Sequence, residues 1–281
     1  MISPKDVALE FEKRGFVLIE PSKQCFRRKC GSLKDGFVSS KENFRTAFAN
    51  EGGTPRHLIN ILRSDNKNSI LDILKDSSIF EVVNEIFMEI DLEFTHSKIS
   101  FKTVGANSDW LSHQDNGYRL ANGNKPRAGL AMMVFLEDVT VKDGPLEVIP
   151  YSHKNGTLEH KRIWASSEKV DYQLGLDGLP DHSFTKITGS VGSVLLFHND
   201  TIHRSGASTR SSRYCMIVEL RHSDHKSLDD YGLPPFPYNY SPGWIEIISK
   251  NIRSLFNTGR IWMIVKRSKS LTKWVRRIAF R

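Results

Sequence analysis

Cysteine is scarce in this chain: Cys25, Cys30 and Cys215 are the three among 281 residues. An odd, sparse set without a CxxC pair excludes a disulfide framework and a zinc ribbon, and it points to a reducing, cytoplasmic compartment. The basic residues between Cys25 and Cys30 are a setting that can lower a thiol pKa, yet two ordinary thiols are the simpler expectation. Long apolar runs are also missing. No stretch of 18 apolar residues exists, so no segment suits a bilayer span. The opening residues MISPKD lack the basic-then-apolar pattern of a secretory leader and read instead as a helix start, capped by Ser3 with Pro4 in its first turn. Neither common phosphate-cradling glycine loop occurs, and there is no internal repeat.

Net charge is missing from most of the chain as well. The net charge is +8, but residues 244–281 hold ten Lys/Arg against one acid and carry +9, which leaves residues 1–243 at −1. A body without its own basic stripe excludes a nucleic-acid-tracking surface, so no nucleic-acid partner is expected. The tail places Trp244, Trp262 and Trp274 among its cations in two amphipathic, helix-like runs. Three roles fit it: an interfacial helix on anionic lipid, a contact for an anionic or carrier-linked substrate, or a terminal helix packed on the body. The concentration of charge and tryptophan favours the first two and a peripheral place at a membrane surface.

What is present reads as helices followed by strands. Residues 4–14 form a helical pattern ended by Gly15, and Phe16 to Ile19 reads as a short buried strand. Helical patterns recur at about 40–50 and at 69–90. From Leu92 the texture changes: LEFTHSKISFK alternates, with Phe94, His96, Lys98, Ser100 and Lys102 on one side, and RAGLAMMVFLEDV suits a central strand. GPLEVIPYS, SFTKITGS, GSVLLFHND and RYCMIVELRH follow, separated by turn residues. Helices first and then many short strands predict a mainly β fold, a double-sheet sandwich or jelly roll with flanking N-terminal helices. The domain is expected over 1–243, with 244–281 as its basic C-terminal extension.

Residues 110–118, WLSHQDNGY, carry the chemistry. His113 and Asp115 share parity, so on an extended backbone both side chains reach one face. Two ligands on one segment and one distant histidine make the 2-His-1-carboxylate arrangement, which leaves positions open on iron. His203, 88 residues after Asp115 and just past the strand GSVLLF, is the expected third ligand, and His198 is the alternative. The second His-x-Asp, His198-Asn-Asp200, has beyond His203 only His222 and His225 downstream, too close for a distal ligand, so Asp200 reads as a turn residue. A dicarboxylate cosubstrate needs a cation, best an arginine with its two-pronged guanidinium. Arg210, Arg213 and Arg221 follow His203, and Arg213, at the opening of the next strand, is the expected anchor. Trp110 is expected in the pocket wall. Tyr118 and Gln114 fit substrate contact and packing equally, and His153 and Lys154 fit either a structural or a substrate-facing role.

With these residues in view, the chain resembles the phytanoyl-CoA dioxygenase family of iron(II)/2-oxoglutarate oxygenases over most of residues 5–225. LEFEKRGFVLIE is similar to the family's opening helix and strand, HQDNGY to its His-x-Asp segment, and GSVLLFHNDTIHRSGASTRSSRY to its distal histidine region. LEDVTVKDGPLEVIPYSHKNG is the most specific match, with Tyr151 where the family has glycine. The resemblance implies a double-stranded β-helix, cupin-like core. It implies His113, Asp115 and His203 as iron ligands and Arg213, Ser205 and Lys98 as 2-oxoglutarate contacts. It also implies Fe(II), 2-oxoglutarate and O2 as the working set, with ascorbate as a stimulant and succinate and CO2 as by-products. Asp115 stands where halogenating relatives carry a small residue, which favours hydroxylation of a small-molecule or carrier-, lipid- or glycan-linked substrate. Desaturation or cyclisation is the alternative reaction, and a non-catalytic jelly roll with a vestigial site is the alternative class.

Overall fold

A computed structural model describes residues 3–21, 24–39, 46–48, 55–59, 61–63, 67–76, 79–87, 92–104, 109–164, 172–210 and 212–222. The expected proline-rich connector at 231–238 and the basic tail at 244–281 lie outside the described residues. The first helix, α1 (Pro4–Arg14), starts as its sequence demands: the Ser3 hydroxyl accepts from the Asp6 backbone N–H, Pro4 opens the first turn and Gly15 ends the helix with φ 83°. Gly15 also admits no side chain, because a Cβ there would stand 2.3 Å from His153 Nδ1. The chain then turns into β1 (Phe16–Ile19) and α2 (Gln24–Ser39). Cys30 is fully buried on α2, and burial pushes its thiol up to about 12, so it is an inert core residue.

Two expectations in the N-terminal region change. The described part of 40–50 is a strand, β2 (Thr46–Phe48), paired antiparallel with β3 (Pro55–Ile59). Its ladder with β3 overrides the helical propensity of that stretch. The pattern at 69–90 resolves into two helices, α3 (Lys67–Asp76) and α4 (Ile79–Ile86), on either side of Ser77-Ser78. Ile70, Ile73 and Leu74 of α3 and Ile79, Phe80, Val82 and Val83 of α4 are buried, as the apolar periodicity requires.

The β region follows the sequence closely. Its strands are β4 (Leu92–Lys102), β5 (Trp110–His113), β6 (Gly129–Phe135), β7 (Leu146–Val148), β8 (Lys161–Trp164), β9 (Tyr172–Gly175), β10 (Thr185–Ile187), β11 (Val194–His198), β12 (His203–Ser205) and β13 (Arg213–His222). A short helix, α5 (Asp115–Ala121), follows β5. One antiparallel sheet runs β1-β11-β6-β13-β4-β3-β2 and a second runs β10-β7-β12-β5, giving the two-sheet jelly roll; β8 and β9 form a separate hairpin. The inner face of the large sheet (Ala131, Met133, Leu195, Phe197, Cys215 and Ile217) meets Leu146, Val148 and Ile187 of the small one in a common apolar core. All seven residues of β6 are buried, which explains its unbroken apolar run.

The alternation expected for β4 fails at one point. The pairing of β13 with β4 slips between Glu219 and Leu220, so Glu219 faces His96 but Leu220 faces Phe94 and Arg221 faces Glu93. Thr95 is the extra residue of this bulge. Phe94 therefore leaves the face of His96, Lys98, Ser100 and Lys102, and Glu93 takes its place.

Tyr151 is the described non-glycine residue with positive φ, at 66° and ψ −3°. The chain turns there so that its N–H can donate to the Arg14 carbonyl at 2.8 Å, docking the end of α1. An L-residue in this conformation costs about 1–2 kcal/mol. Tyr151→Gly is expected to stabilise the protein by about 1 kcal/mol net of glycine's unfolded-state entropy. Thermal melts should show a Tm rise of about 2–4 °C; a fall would mean that the Tyr151 ring contributes more than the backbone strain costs.

Candidate metal centre

β5 and β12 lie side by side in the small sheet, and their register sets His113 directly opposite His203. The strand ends at His113, and Gln114 stays extended at φ −118° and ψ 142°. Asp115 therefore reaches the same side as His113 even though it is already the first residue of α5. The backbone is extended only as far as Gln114, but the parity argument survives because one extended residue is enough to carry it. His113, Asp115 and His203 each present one ligand atom, and these atoms lie within 4.8 Å of one another. The Asp115 carboxylate is 4.0 Å from His113 Nε2 and 3.7 Å from His203 Nε2. Among the described residues this is the one such group of three.

The imidazoles are oriented from behind. His113 Nδ1 donates to the Leu111 carbonyl at 2.6 Å, and His203 Nδ1 donates to the Thr201 carbonyl at 2.9 Å. A carbonyl can only accept, so each ring carries its proton on Nδ1 and turns a bare Nε2 lone pair toward Asp115. Tyr118 meets the His113 ring edge-on, with centroids 5.5 Å apart at 89°. Burial holds His113 down to about 3, helped by the neighbouring His203, and His203 down to about 4. Burial, together with the nearby Glu219 carboxylate, raises Asp115 to about 6. Two neutral imidazoles and one destabilised carboxylate form a donor set that a divalent cation would complete, because its charge removes the cost of keeping Asp115 ionised.

Acid should therefore act on the metal-free fold in a defined window. His96, His113 and His203 have folded values of about 4, 3 and 4 against 6.5, His96 chiefly through burial. As pH falls through 6.5 toward 4, the unfolded chain takes up three protons that the folded chain refuses. Asp115 works the other way, since its folded carboxyl protonates near 6 instead of 3.8. The difference is about two protons, or roughly 3 kcal/mol lost per pH unit around pH 5. Urea midpoints of chelator-treated protein at pH 7 and pH 5 measure this; equal midpoints would refute the buried-neutral assignment.

The cavity at this cluster is lined by every residue expected of the site: Lys98, His113, Asp115, His203, Ser205 and Arg213. Arg213 opens β13 and is 2% exposed. Its Nη1 donates to the Gly144 carbonyl at 2.5 Å, and its Nε has no partner among the described residues. The rival arginines are occupied elsewhere. Arg210 grips Asp143 through Nε at 3.1 Å and Nη2 at 3.0 Å, while Arg221 Nη2 donates to Glu219 at 2.9 Å. His198 is not in the cluster; its Nδ1 accepts from the Asp200 N–H at 3.0 Å. Trp110 lines the cavity as expected. Gln114 is fully buried and saturated with hydrogen bonds, which is the packing role, and the Tyr118 hydroxyl accepts from the Leu174 N–H at 3.2 Å. His153 Nε2 donates to the Glu12 carbonyl at 2.9 Å, a structural tie.

Sequence reasoning missed Glu219, Ser100 and the apolar wall of Met133, Phe197 and Ile217. The parity of β13 carried the signal for two of them, because Ile217 and Glu219 stand four and six residues after Arg213 on the same face. Ser100 shares the side of Lys98 by the alternation of β4, while Met133 and Phe197 come from β6 and β11 and only sheet register brings them there.

The family profile described as phytanoyl-CoA dioxygenase (PhyH) matches residues 11–215. A phytanoyl-CoA dioxygenase of Arabidopsis thaliana is 29% identical over 125 residues, 44% of this chain and 42% of the relative. An L-proline trans-4-hydroxylase of Streptomyces griseoviridis is 26% identical over 136 residues, 43% of this chain and 51% of the relative. The chain spans about half the length of these curated relatives. In fold, it is similar to EctD from S. alaskensis, with a TM-score of 0.60 and 18% identity over 79% of this chain and 77% of that one. It is also similar to EvdO2 from Micromonospora carbonacea in complex with 2-oxoglutarate, with a TM-score of 0.59 and 17% identity over 79% and 92% of the two chains.

Proposed function

This chain belongs to the phytanoyl-CoA dioxygenase family, and from that premise we infer that it is an Fe(II)- and 2-oxoglutarate-dependent dioxygenase that hydroxylates a C–H bond. The observation that carries this reading is the convergence of His113, Asp115 and His203 in one cavity with Arg213. His113 and His203 supply neutral imidazole donors and Asp115 a carboxylate, the donor set that iron(II) takes in this chemistry. Bound there, iron would supply activation of dioxygen, with 2-oxoglutarate converted to succinate and CO2.

This chain's own residues do the rest. Arg213 offers its guanidinium to the far carboxylate of 2-oxoglutarate, with the Ser205 hydroxyl and the Lys98 ammonium as further contacts. The Leu111 and Thr201 carbonyls hold the Nδ1 protons and keep both rings facing the metal. Met133, Phe197 and Ile217 keep the wall dry beside the reacting bond. Asp115 fills the third protein position and leaves no room for halide, so hydroxyl transfer is the expected outcome. The substrate is a small molecule, free or carrier-linked, in line with relatives named for proline and ectoine.

Iron-dependent formation of succinate from 2-oxoglutarate, raised by a compound from a small-molecule screen, tests the reading. A product gaining one oxygen supports hydroxylation, while loss of two hydrogens would shift it to desaturation or cyclisation. No iron-dependent succinate at all would favour a non-catalytic jelly roll. No described helix is long and apolar enough to cross a membrane. The basic tail at 244–281 is read as an extension that holds a cytoplasmic enzyme against anionic surfaces. Deleting it should abolish co-sedimentation with phosphatidylserine vesicles, and unchanged binding would remove that role.

A further inference from the structure

The second His-x-Asp, at 198–200, does not serve as a ligand pair, but its aspartate converges on the metal site from behind. Asp200 sits in the turn between β11 and β12, three residues before His203. Its Oδ1 accepts from Asn116 Nδ2 at 3.0 Å and from the Thr157 hydroxyl at 2.6 Å. Its backbone carbonyl accepts from Gln114 Nε2 at 2.7 Å, and its N–H donates to His198. Gln114 and Asn116 are the two neighbours of Asp115 and are 0% and 1% exposed. Their remaining groups are also held: Gln114 Nε2 donates to the Gly156 carbonyl, Gln114 Oε1 accepts from the Leu158 N–H, and the Asn116 amide exchanges hydrogen bonds with the Arg127 backbone.

The β5–β12 ladder aligns His113 with His203 but stops there. Asp115 stands beyond it, at the start of a seven-residue helix, and no ladder hydrogen bond sets its distance from His203. The side chains on either side of it both end on residue 200, and the Asn116 N–H donates to the Asn199 carbonyl. Resting on the reading of His113, Asp115 and His203 as a metal centre, we propose that Asp200 is a positioning residue that clamps the Asp115 arm to the His203 arm and so sets the spacing of the three ligands. Through Thr157 the same carboxylate holds the segment leading into the β8–β9 hairpin. That hairpin is tied to the metal strand, where the Leu176 N–H donates to the Ser112 carbonyl at 2.8 Å. Hydrogen bonds to a largely buried carboxylate are among the stronger ones, which suits a clamp.

The test compares Asp200→Ala, Asp200→Asn and Thr157→Val in the full chain, using Co(II) as the probe. Co(II) affinity of the apoprotein and the visible spectrum of the complex are read alongside the urea midpoint. Asparagine keeps an Oδ1 acceptor for Asn116 and Thr157, so Asp200→Asn should bind within about threefold of the parent and keep its spectrum. Loss of a partner behind a ligand typically weakens metal binding about 10–100-fold, and Asp200→Ala should fall in that range with an altered spectrum. Thr157→Val removes one of the two bonds and should lie between. If Asp200→Ala does not fold, Thr157→Val decides: weakened Co(II) binding supports the clamp, and parental affinity overturns it. Parental affinity and spectrum in a folded Asp200→Ala, or an asparagine variant as damaged as the alanine one, also overturn it. Failure of the parent itself to bind Co(II), or binding unchanged by His203→Ala, would instead sink the metal-centre reading beneath it.

Discussion

His203→Ala is expected to abolish iron-dependent turnover of 2-oxoglutarate and to weaken metal binding by well over a hundredfold. Residues one step behind a ligand already account for about 10–100-fold, so a ligand itself must account for more. His203 is the ligand to test because the other two share one segment, and its position opposite His113 is what joins the two arms. The loss should not arise from unfolding. Among the described residues the His203 side chain makes one hydrogen bond, to the Thr201 carbonyl, and its ring lies against Phe197 with centroids 4.9 Å apart. Truncating it should cost about 0.5–3 kcal/mol, within the range of ordinary substitutions. The measurement is succinate formed per minute with and without Fe(II), together with Mn(II) affinity and a urea midpoint for the same sample. Retained iron-dependent succinate in a folded His203→Ala would place the iron elsewhere. His198→Ala is the paired control and should keep its metal, since His198 is turned away toward the Asp200 backbone.

Arg213→Ala should raise the KM for 2-oxoglutarate about tenfold to a hundredfold while leaving metal affinity nearly unchanged. A charge-assisted hydrogen-bonded pair contributes about 1.5–3 kcal/mol, and each 1.4 kcal/mol is about a factor of ten. Arg213→Lys should recover only part of the loss, because an ammonium cannot reproduce two parallel N–H donors. Arg210→Ala should leave the KM where it was, as its half-exposed guanidinium is committed to the buried Asp143 carboxylate. The reverse pattern, with Arg210 sensitive and Arg213 silent, would move the cosubstrate anchor to the Ser-rich turn. Separating KM from metal affinity matters because Arg213 also donates to the Gly144 carbonyl, and a purely structural arginine would disturb folding before it disturbed cosubstrate binding.

Several parts of this protein were legible in its sequence because their causes are local. Ser3, Pro4 and Gly15 delimit α1 through capping chemistry that needs no tertiary contact. LEFTHSKISFK marks the extent of β4, though its alternation breaks at Thr95, and the apolar run of RAGLAMMVFLEDV contains β6, since side-chain parity and two-sided burial leave their imprint directly on composition. His113 and Asp115 were readable as a pair for the same reason: one extended residue between them decides that both face one way. Arg213 was readable as the opening of a strand, although nothing in the chain could say that Arg210 would be taken by Asp143, 67 residues away.

Only the tertiary structure decided the rest, and the reason is register. His203 reaches His113 and Asp115 because β12 pairs with β5 in a particular alignment, and a shift of one residue would turn it to the other face. The stretch at Thr46–Phe48 became a strand through its ladder with β3, against its own helical leaning. The bulge at Thr95 swapped Phe94 for Glu93 on the inner face, which no alternation rule anticipates. Asp200 looked like a turn residue and is one, yet its carboxylate meets Asn116 and Thr157 from 84 and 43 positions away. Local chemistry wrote the helix ends, the strand texture and the His-x-Asp pair into the sequence; the distances among His113, Asp115, His203 and Arg213 came from long-range pairing, which sequence-local forces do not encode.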